Sequence, residues 1–187
     1  MDIKSYMDGF NQVMDAFMSD DKNVNLLEES IALIKGTDTQ GKKIFLIGNG
    51  GSSAIAEHMA IDFTKNAKLK AMAISGSPML TTFANDYGFD QVYSKAIEAF
   101  ADQGDLLIAI SSGGTSINII NAVKAAKEKG LKVITFSGFE ATNSLSSTGD
   151  INIWVDSYAY GYVELIHNLL IHYMNDKIIG SVVYKFR

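Results

Sequence analysis

Apolar residues at the start of the chain recur at steps of three and four. They are Ile3, Met7, Phe10, Met14, Phe17 and Met18. This spacing places them on one face of an amphipathic helix, and it predicts a helix over residues 1–19. The apolar face either joins the core or contacts another subunit, and the pattern favours neither.

A second helical pattern covers residues 26–34 and places Glu28 and Glu29 on its outer face. Gly36 is expected to end this helix, since glycine commonly follows the last helical turn. The two patterns together predict an N-terminal helical hairpin over residues 1–36.

Beyond residue 42 the pattern changes to short apolar runs that alternate with helical stretches. The runs predict five buried parallel strands, at residues 43–47, 70–74, 106–110, 133–136 and 151–155. Helices are predicted at residues 52–66, 78–85, 91–100, 115–129 and 160–179. Such alternation indicates a parallel sheet with helices on both faces. Residues 181–187 are not assigned to any element.

The sequence shows no boundary between domains. Its 187 residues suit one domain of ordinary size, and it contains one proline, Pro78, and no low-complexity linker. We therefore expect a single α/β domain over residues 1–187, with the α/β core at 42–180. Hydrophobic residues make up 47% and charged residues 20% of the chain, a balance typical of folded soluble proteins.

Charge and composition exclude several classes of partner and site. The formal net charge of −5 provides no basic surface for a phosphate backbone, so we expect no nucleic-acid partner. The absence of cysteine excludes disulfides and thiolate metal ligands. The sequence shows neither a signal-peptide pattern nor an apolar run of about 18 residues, so we expect no membrane partner and a cytoplasmic location.

Two similar loops follow the first and third predicted strands. Residues 48–53 are Gly-Asn-Gly-Gly-Ser-Ser, residues 111–116 are Ser-Ser-Gly-Gly-Thr-Ser, and each loop leads into a helix. This repeated strand–loop–helix–strand unit places both loops at the carboxyl edge of one sheet. Backbone N–H groups, hydroxyls and helix dipoles at such an edge suit a phosphate monoester.

The expected phosphate-binding residues all belong to these loops. They are Asn49, Gly50, Gly51, Ser52, Ser111, Ser112, Gly113, Thr115 and Ser116. For either loop alone, a tight turn with a Ser or Thr helix cap is the commoner alternative. Two such loops in one chain favour an anion site. Neither loop has the nucleoside-triphosphate P-loop sequence, and Ser53 replaces the third glycine of the dinucleotide motif.

Acid–base residues are concentrated on two predicted helices. His58 and Asp62, at positions i and i+4, share one face of the helix after the first loop. Glu164 and His172 lie on the last helix, as does the third histidine, His167. A ketose–aldose isomerisation moves a proton between neighbouring carbons through an enediol and needs such groups. A surface ion pair is the alternative for His58 and Asp62.

Several motifs together resemble one family. They are Gly48-Asn49-Gly50-Gly51-Ser52, Asn85-Asp86-Tyr87-Gly88-Phe89, Gly104-Asp105, the segment 110–116, and His167 with His172. From residue 42 to about residue 179 the chain resembles the phosphoheptose isomerase branch of the SIS (sugar isomerase) family. The resemblance implies a flavodoxin-like three-layer sandwich with a five-stranded parallel sheet, assembled as a homotetramer. It also implies conversion of sedoheptulose 7-phosphate to D-glycero-D-manno-heptose 7-phosphate for surface polysaccharide.

The resemblance implies roles for individual side chains. The expected ligands of one zinc ion are His58, Asp62, Glu164 and His172. Asp62 and His172 are also the expected acid–base groups. Asp86 is expected to open the sugar ring, with a turn aspartate as the alternative, and Asn85, Asp86 and Glu164 are expected to bind substrate. His167 is expected to support the site from behind, with a packed core histidine as the alternative.

The sequence also departs from the family pattern. Asp62 replaces a glutamate and Glu164 replaces a glutamine, so the side-chain length and charge of the expected zinc site both change. Asn66 replaces an arginine, and Gly161 and Tyr162 replace an Asp-Arg pair. These departures leave the identity of the sugar open.

Two alternatives to a heptose phosphate isomerase therefore stay open. One is a noncatalytic SIS module of the kind that binds the bacterial replication initiator. The joint presence of both carboxylates, Asp62 and Glu164, with His58 and His172 favours an enzyme. The other is an isomerase of a different sugar phosphate, which the sequence does not distinguish.

Overall fold

Two helices at the start of the chain pack against each other and against the last helix. In the structure, a computed structural model that describes residues 2–183, α1 spans Ile3–Met18 and α2 spans Asp21–Thr39. The carboxylates of Asp2 and Asp20 accept hydrogen bonds from backbone N–H groups in the first turns of these helices. The predicted helical hairpin is therefore present.

The second helix is longer than the sequence pattern predicts, and the expectation that Gly36 ends it is wrong. The helix continues to Thr39. Thr37 is buried and its hydroxyl donates to the carbonyl of Leu33. Packing of this last turn outweighs the cost of a mid-helix glycine, which is about 1 kcal/mol.

The sheet has five parallel strands, as predicted. They are β1 Ile44–Gly48, β2 Ala71–Ala73, β3 Leu106–Ile110, β4 Lys132–Gly138 and β5 Ile151–Val155. Their order across the sheet is β2-β1-β3-β4-β5, the order of flavodoxin-like folds. The predicted burial of β2 is wrong, because this short strand lies at the sheet edge and Met72 is exposed.

Five further helices connect and follow the strands. They are α3 Gly51–Lys65, α4 Ser77–Tyr87, α5 Val92–Phe100, α6 Ile117–Glu128 and α7 Tyr160–Ile179. A single 3₁₀ turn, Phe89–Gln91, joins α4 to α5. Residues 181–183 are irregular, and the rest of the unassigned segment 181–187 lies outside the described residues.

Helices cover both faces of the sheet and form two separate cores. On one face, α1, α2, α3 and α7 pack against side chains such as Leu46 and Ile108. On the other face, α4, α5 and α6 pack against Phe45 and Leu107. The alternation of inward and outward side chains along each strand explains why neighbouring residues join different cores. The predicted three-layer sandwich is confirmed.

The apolar stripe of α1 is divided between two environments. Phe17 is buried, and Phe10 and Met14 pack against the core. Ile3 and Met7 are exposed. The core interpretation is therefore confirmed for the carboxyl-terminal part of the stripe, and contact of its exposed part with another subunit stays a prediction.

Asp105, in the Gly-Asp motif, anchors the amino ends of two central strands. Its side chain is only 1% exposed, and its carboxylate accepts hydrogen bonds from the backbone N–H groups of Lys43 and Asp102. The Lys43 ammonium lies 3.5 Å from the same carboxylate. This family motif therefore has a structural role at the edge opposite the two loops.

No helix within residues 2–183 is long and apolar enough to cross a lipid bilayer.

Two glycines test the account of α2. Gly36→Ala is expected to raise the free energy of unfolding by about 0.5–1 kcal/mol, because alanine favours the helix and a Cβ at this position meets no atom within 4 Å. Gly180→Ala is the matched control. A Cβ there also meets no atom within 4 Å, but the backbone has φ +86°, which strains alanine, so this variant should not be stabilised. Chemical denaturation measures both, and a destabilised Gly36→Ala would contradict the account.

Candidate active site

The two glycine- and serine-rich loops begin side by side at the carboxyl edge of the sheet. Strands β1 and β3 are neighbours, and Gly48 at the end of β1 pairs with Ile110 at the end of β3. The chain leaves β1 toward α3 on one face and leaves β3 toward α6 on the other. This divergence opens a crevice at the switch point, which is where ligands bind in open α/β sheets.

A cavity of about 210 Å³ occupies this crevice. Its lining residues are Asn49, Ser52, Ser111, Ser112, Gly113, Thr115, Ser116, Tyr160 and Glu164. The structure thus brings together most of the predicted phosphate-binding residues and Glu164. Gly50 and Gly51 belong to the same loop but are outside this lining, and Tyr160 is an addition that the sequence did not indicate.

The hydroxyls of the second loop do not act as helix caps. Ser116 occupies the N-cap position of α6, yet within residues 2–183 its side chain makes no capping hydrogen bond. Its Oγ instead lies 3.2 Å from Ser111 Oγ. The buried Ser112 Oγ has no hydrogen-bond partner among the described residues. A buried hydroxyl without a partner is costly, so it suits an incoming acceptor such as a phosphate oxygen.

Glu164 is the one charged side chain in the described lining of the cavity, which includes no lysine or arginine. An anion held here is therefore bound by neutral hydroxyl and amide donors. The amino-terminal ends of α3 and α6, which follow the two loops directly, add their positive partial charge. Such donors carry no full positive charge, so they suit a phosphate monoester that must be released as well as bound.

A reciprocal amide pair joins the two loops. Asn49 Nδ2 donates to Asn118 Oδ1, and Asn118 Nδ2 donates to Asn49 Oδ1, both at 2.9 Å. Asn118 is buried at the start of α6, and its Oδ1 also accepts from the backbone N–H of Ile119. The first loop is therefore fixed to the helix that follows the second.

Asn143 supports the second loop from the connection between β4 and β5. Its side-chain oxygen accepts from the backbone N–H groups of Leu145 and Ser146, while its amide donates to the Glu140 carbonyl. Gly114 lies against this side chain: a Cβ added there would fall 1.9 Å from Asn143 Oδ1, and its φ is +64°. Only glycine fits this position of the loop.

A second cluster of candidate functional side chains lies further along α3 and α7. His58 Nε2 lies 3.5 Å from Asp62 Oδ2, and His172 Nδ1 lies 3.8 Å from the same oxygen. The two imidazole rings meet edge to face with their centroids 5.0 Å apart. The His58–Asp62 pair is therefore part of a three-residue cluster that joins two helices.

This cluster can hold a metal ion. One ligand atom from each of the three residues lies within 4.8 Å of the other two. In a tetrahedral zinc site, with metal–ligand bonds of about 2.0–2.1 Å, ligand atoms are about 3.4 Å apart. The distances of 3.5 and 3.8 Å to the shared carboxylate oxygen are close to this value. Two imidazoles and one carboxylate are donors that suit a divalent metal ion.

Glu164, the fourth predicted metal ligand, is outside this cluster. Its carboxylate packs over the first loop, 2.7 Å from the position that a Cβ on Gly51 would take. Eight residues separate it from His172, which is about 12 Å along a helix axis. Among the described residues, Glu164 is thus separated from the other three predicted ligands and lies in the lining of the cavity between the two loops.

His167 is a core histidine. It is fully buried, and its Nε2–H donates to the carbonyl of Ser137 at 3.1 Å, since a carbonyl can only accept. Its ring packs edge to face on Phe136. Burial lowers the pKa of His167 to about 4, so the ring is neutral at pH 7. Of the two interpretations of His167, the structure favours packing.

Asn85 and Asp86 are not brought to the cavity of their own chain. Both are exposed near the end of α4, where Asn85 Nδ2 donates to Asp86 Oδ1 at 2.9 Å. Neither belongs to the described cavity lining. The roles expected for them in ring opening and substrate binding stay predictions.

Gly161 and Tyr162, two of the departures from the family pattern, lie in the contact between α1 and α7. Tyr162 packs edge to face on Tyr6, with centroids 4.9 Å apart, and its hydroxyl donates to the Tyr6 carbonyl. A Cβ on Gly161 would fall 2.7 Å from the Tyr6 hydroxyl oxygen. The positions of the family's Asp-Arg pair thus serve helix packing here.

Comparisons with known proteins find relatives that match most of the chain. The SIS domain family profile matches residues 5–138. The phosphoheptose isomerase of Haemophilus ducreyi is 35% identical over 179 residues, which covers 90% of this chain and 92% of that protein. The solved phosphoheptose isomerase from Neisseria gonorrhoeae superposes with a TM-score of 0.88 at 32% identity, over 96% of this chain and 97% of that one.

The chain belongs to the phosphoheptose isomerase family of SIS-domain proteins. A phosphoheptose isomerase from Francisella tularensis shares the fold with a TM-score of 0.87 and 26% identity, over 96% of this chain and 97% of that one. The SIS profile ends before α7, whereas these longer matches extend the family relationship to the helix that carries Glu164 and His172.

In this member of the phosphoheptose isomerase family, sequence reasoning missed three residues around the cavity. Tyr160 forms part of the lining, and Asn118 and Asn143 support the loops. Asn118 comes two residues after the second loop, but its burial and its pairing with Asn49 are visible only in the structure. Tyr160 and Asn143 are distant from the loops in sequence, and only the fold brings them near.

The amide pair gives a prediction. Asn118→Ala leaves the Asn49 amide unpaired, so we expect a loss of about 1–3 kcal/mol in the free energy of unfolding and weaker binding of inorganic phosphate. Asn121→Ala is the control: it removes a half-buried asparagine of the same helix whose amide donates to the Asp90 carbonyl outside the cavity. It should cost less stability than Asn118→Ala, because the hydrogen bond it loses is exposed, and should leave phosphate binding unchanged. Denaturation and calorimetry measure both effects. Equal behaviour of the two variants would contradict the structural role of the pair.

Proposed function

We propose that the protein interconverts sedoheptulose 7-phosphate and D-glycero-D-manno-heptose 7-phosphate, a step in the synthesis of surface polysaccharide. The observation that carries the proposal is the arrangement of α3 and α7. Both helices contribute to a hydroxyl-lined cavity at one end and to an acid–base cluster further along. The family relationship supports the same reaction.

The phosphate of the sugar is bound in the cavity. Ser111, Ser112 and Ser116 donate hydroxyl hydrogen bonds to its oxygens, and Asn49 is held in place by Asn118. This binding orients the sugar so that its carbon chain runs along the groove between α3 and α7. Glu164, beside the cavity, is placed to accept a hydrogen bond from a sugar hydroxyl.

Proton transfer takes place at the far end of the sugar. Isomerisation removes a proton from the carbon next to the carbonyl and returns one to the former carbonyl carbon, through an enediol. Asp62 is the proposed base for the carbon-bound proton, and His172 exchanges protons with the two oxygens. The His172 ring and the Asp62 carboxylate are close enough to act on adjacent atoms.

The spacing between the two ends favours a long sugar phosphate. The level of His172 is about 12 Å along α7 from the level of Glu164. A sugar whose reactive carbons are remote from its phosphate bridges such a gap, as a 7-phosphate with a carbonyl at the other end does. This argument favours a heptose phosphate over shorter alternatives.

The proposed metal is zinc, held by His58, Asp62 and His172. A bound zinc ion would polarise the carbonyl and stabilise negative charge on the enediolate oxygen. Asp62 contacts both histidines, so it orients their rings. Glu164 is left free to bind the substrate.

The noncatalytic alternative is not favoured. A module that only binds a phosphosugar needs the cavity but has no use for the cluster of His58, Asp62 and His172. In this chain the cluster is assembled, with distances suited to chemistry. An isomerase acting on another sugar phosphate is the second candidate, because Asn66, Gly161 and Tyr162 depart from the family pattern.

The proposed assembly is a homotetramer in the cytoplasm. Exposed apolar side chains on α1 and α7, including Met7, Met18, Leu165 and Leu169, form a surface suited to a second copy of the chain. Light scattering measures the mass, and a monomer would contradict the assembly.

The reaction gives a direct test. Sedoheptulose, fructose and ribulose phosphates are supplied in turn, and the products are identified by NMR. We expect turnover of sedoheptulose 7-phosphate, and no turnover of any of the three would contradict the proposal. His172→Ala should abolish turnover while inorganic phosphate binds as in the wild type. Ser116→Ala should instead raise KM by about tenfold, the effect of losing one charged hydrogen bond.

Metal content gives a second test. Protein purified without added zinc should contain about one zinc per chain, because two imidazoles and a carboxylate form a sufficient site. Asp62→Ala should lose the metal, whereas Asp86→Ala, which alters an exposed carboxylate away from the cluster, should keep it. If the metal-free protein keeps full activity in the presence of a chelator, the metal-binding role is contradicted and the three residues act only as acid–base groups.

A further inference from the structure

Phe139, immediately after β4, has an unusual backbone conformation. Its φ is +59°, in the left-handed region that bulky side chains rarely adopt. Two hydrogen bonds hold it there: its N–H donates to the Ser157 carbonyl at 3.0 Å, and its carbonyl accepts from Trp154 Nε1 at 3.2 Å. Strain of this kind persists only where the surrounding structure imposes it.

The Phe139 ring lies between the second loop and the wall of the cavity. A Cβ added at Gly113 would lie 3.6 Å from Phe139 Cδ2, so the ring is the nearest side chain beside this glycine of the second loop. The Tyr160 ring meets it edge to face, with centroids 4.7 Å apart. Tyr158 stacks on Phe139 at 5.7 Å.

Two of these three neighbours of the ring, Gly113 and Tyr160, line the cavity. Gly113 belongs to the second loop, and Tyr160 lies at the start of α7. Tyr160 is 62% exposed, so its described surroundings restrain it on few sides. The edge-to-face contact with Phe139 is therefore a main restraint on its ring.

We propose that Phe139 is a positioning residue that holds the second loop and Tyr160 at a set distance and thereby fixes the width of the phosphate cavity. The inference rests on the proposed function, because it takes the cavity to bind the phosphate of the substrate. Phe139 acts through Gly113 and Tyr160 and does not itself line the cavity. Its strained backbone is what directs the ring to this place.

Two variants separate the ring from the backbone. Phe139→Gly and Phe139→Asn both remove the ring, and both residues tolerate a positive φ, so neither should prevent folding. We expect KM for sedoheptulose 7-phosphate to rise by about tenfold, as small misplacements of binding groups typically cause, with kcat changed by about twofold or less. Phe139→Tyr keeps an aromatic ring and should restore a KM close to that of the wild type.

Calorimetric binding of inorganic phosphate distinguishes this inference from the proposed function. If both ringless variants bind phosphate as tightly as the wild type, the positioning role is overturned, whatever the enzyme's activity. A wild-type protein that binds phosphate but turns over no sugar would overturn the proposed reaction, and weaker phosphate binding by the ringless variants would still support the positioning role. A wild type that binds no phosphate would overturn both. A purely structural Phe139 would alter the melting temperature without altering KM.

Discussion

The parallel pairing of β1 with β3 is the constraint on which the rest of the site depends. Because Gly48 lies opposite Ile110, the loops that follow start at the same level and diverge to opposite faces of the sheet. Two helix amino termini and a set of hydroxyls therefore converge on one crevice without any cationic side chain in its described lining. A shift in this register would separate the loops and break the Asn49–Asn118 pair. Asp105 secures the register from the other end of the same strands.

Most of the fold followed from periodicity, because buried parallel strands and amphipathic helices have distinct apolar patterns. The errors arose where tertiary packing outweighs local preference. Gly36 continues a helix because the turn beyond it gains burial through Thr37. The sequence of β2 is apolar, yet the strand lies at the sheet edge, where Met72 is exposed. The order of strands in a sheet cannot be predicted from apolar runs alone.

The candidate site was predictable where its residues are consecutive in sequence, as in the two loops, or one helical turn apart, as in His58 and Asp62. It was less predictable where distant segments meet. The separation of Glu164 from His172 follows from the rise of a helix, yet which of them meets Asp62 depends on how α3 and α7 align. Tyr160 and Phe139 carry no local signal, and their contacts arise from the path of the chain after β4 and β5.

Both the cavity and the His58–Asp62–His172 cluster lie on the same pair of helices, so in the proposed reaction their separation would set the length of the sugar phosphate that fits. Residues on one helical face recur only at about each 5.4 Å of pitch, whereas one additional carbon lengthens a sugar by far less. Moving a catalytic residue by a whole turn would therefore shift it much further than the length that one carbon adds to the substrate. A move by a whole helical turn is thus a coarse change in the distance between the two ends of the site, and a change in side-chain length is a fine one. Asp62 is one methylene shorter than the glutamate of the family pattern, which is a change of the finer kind.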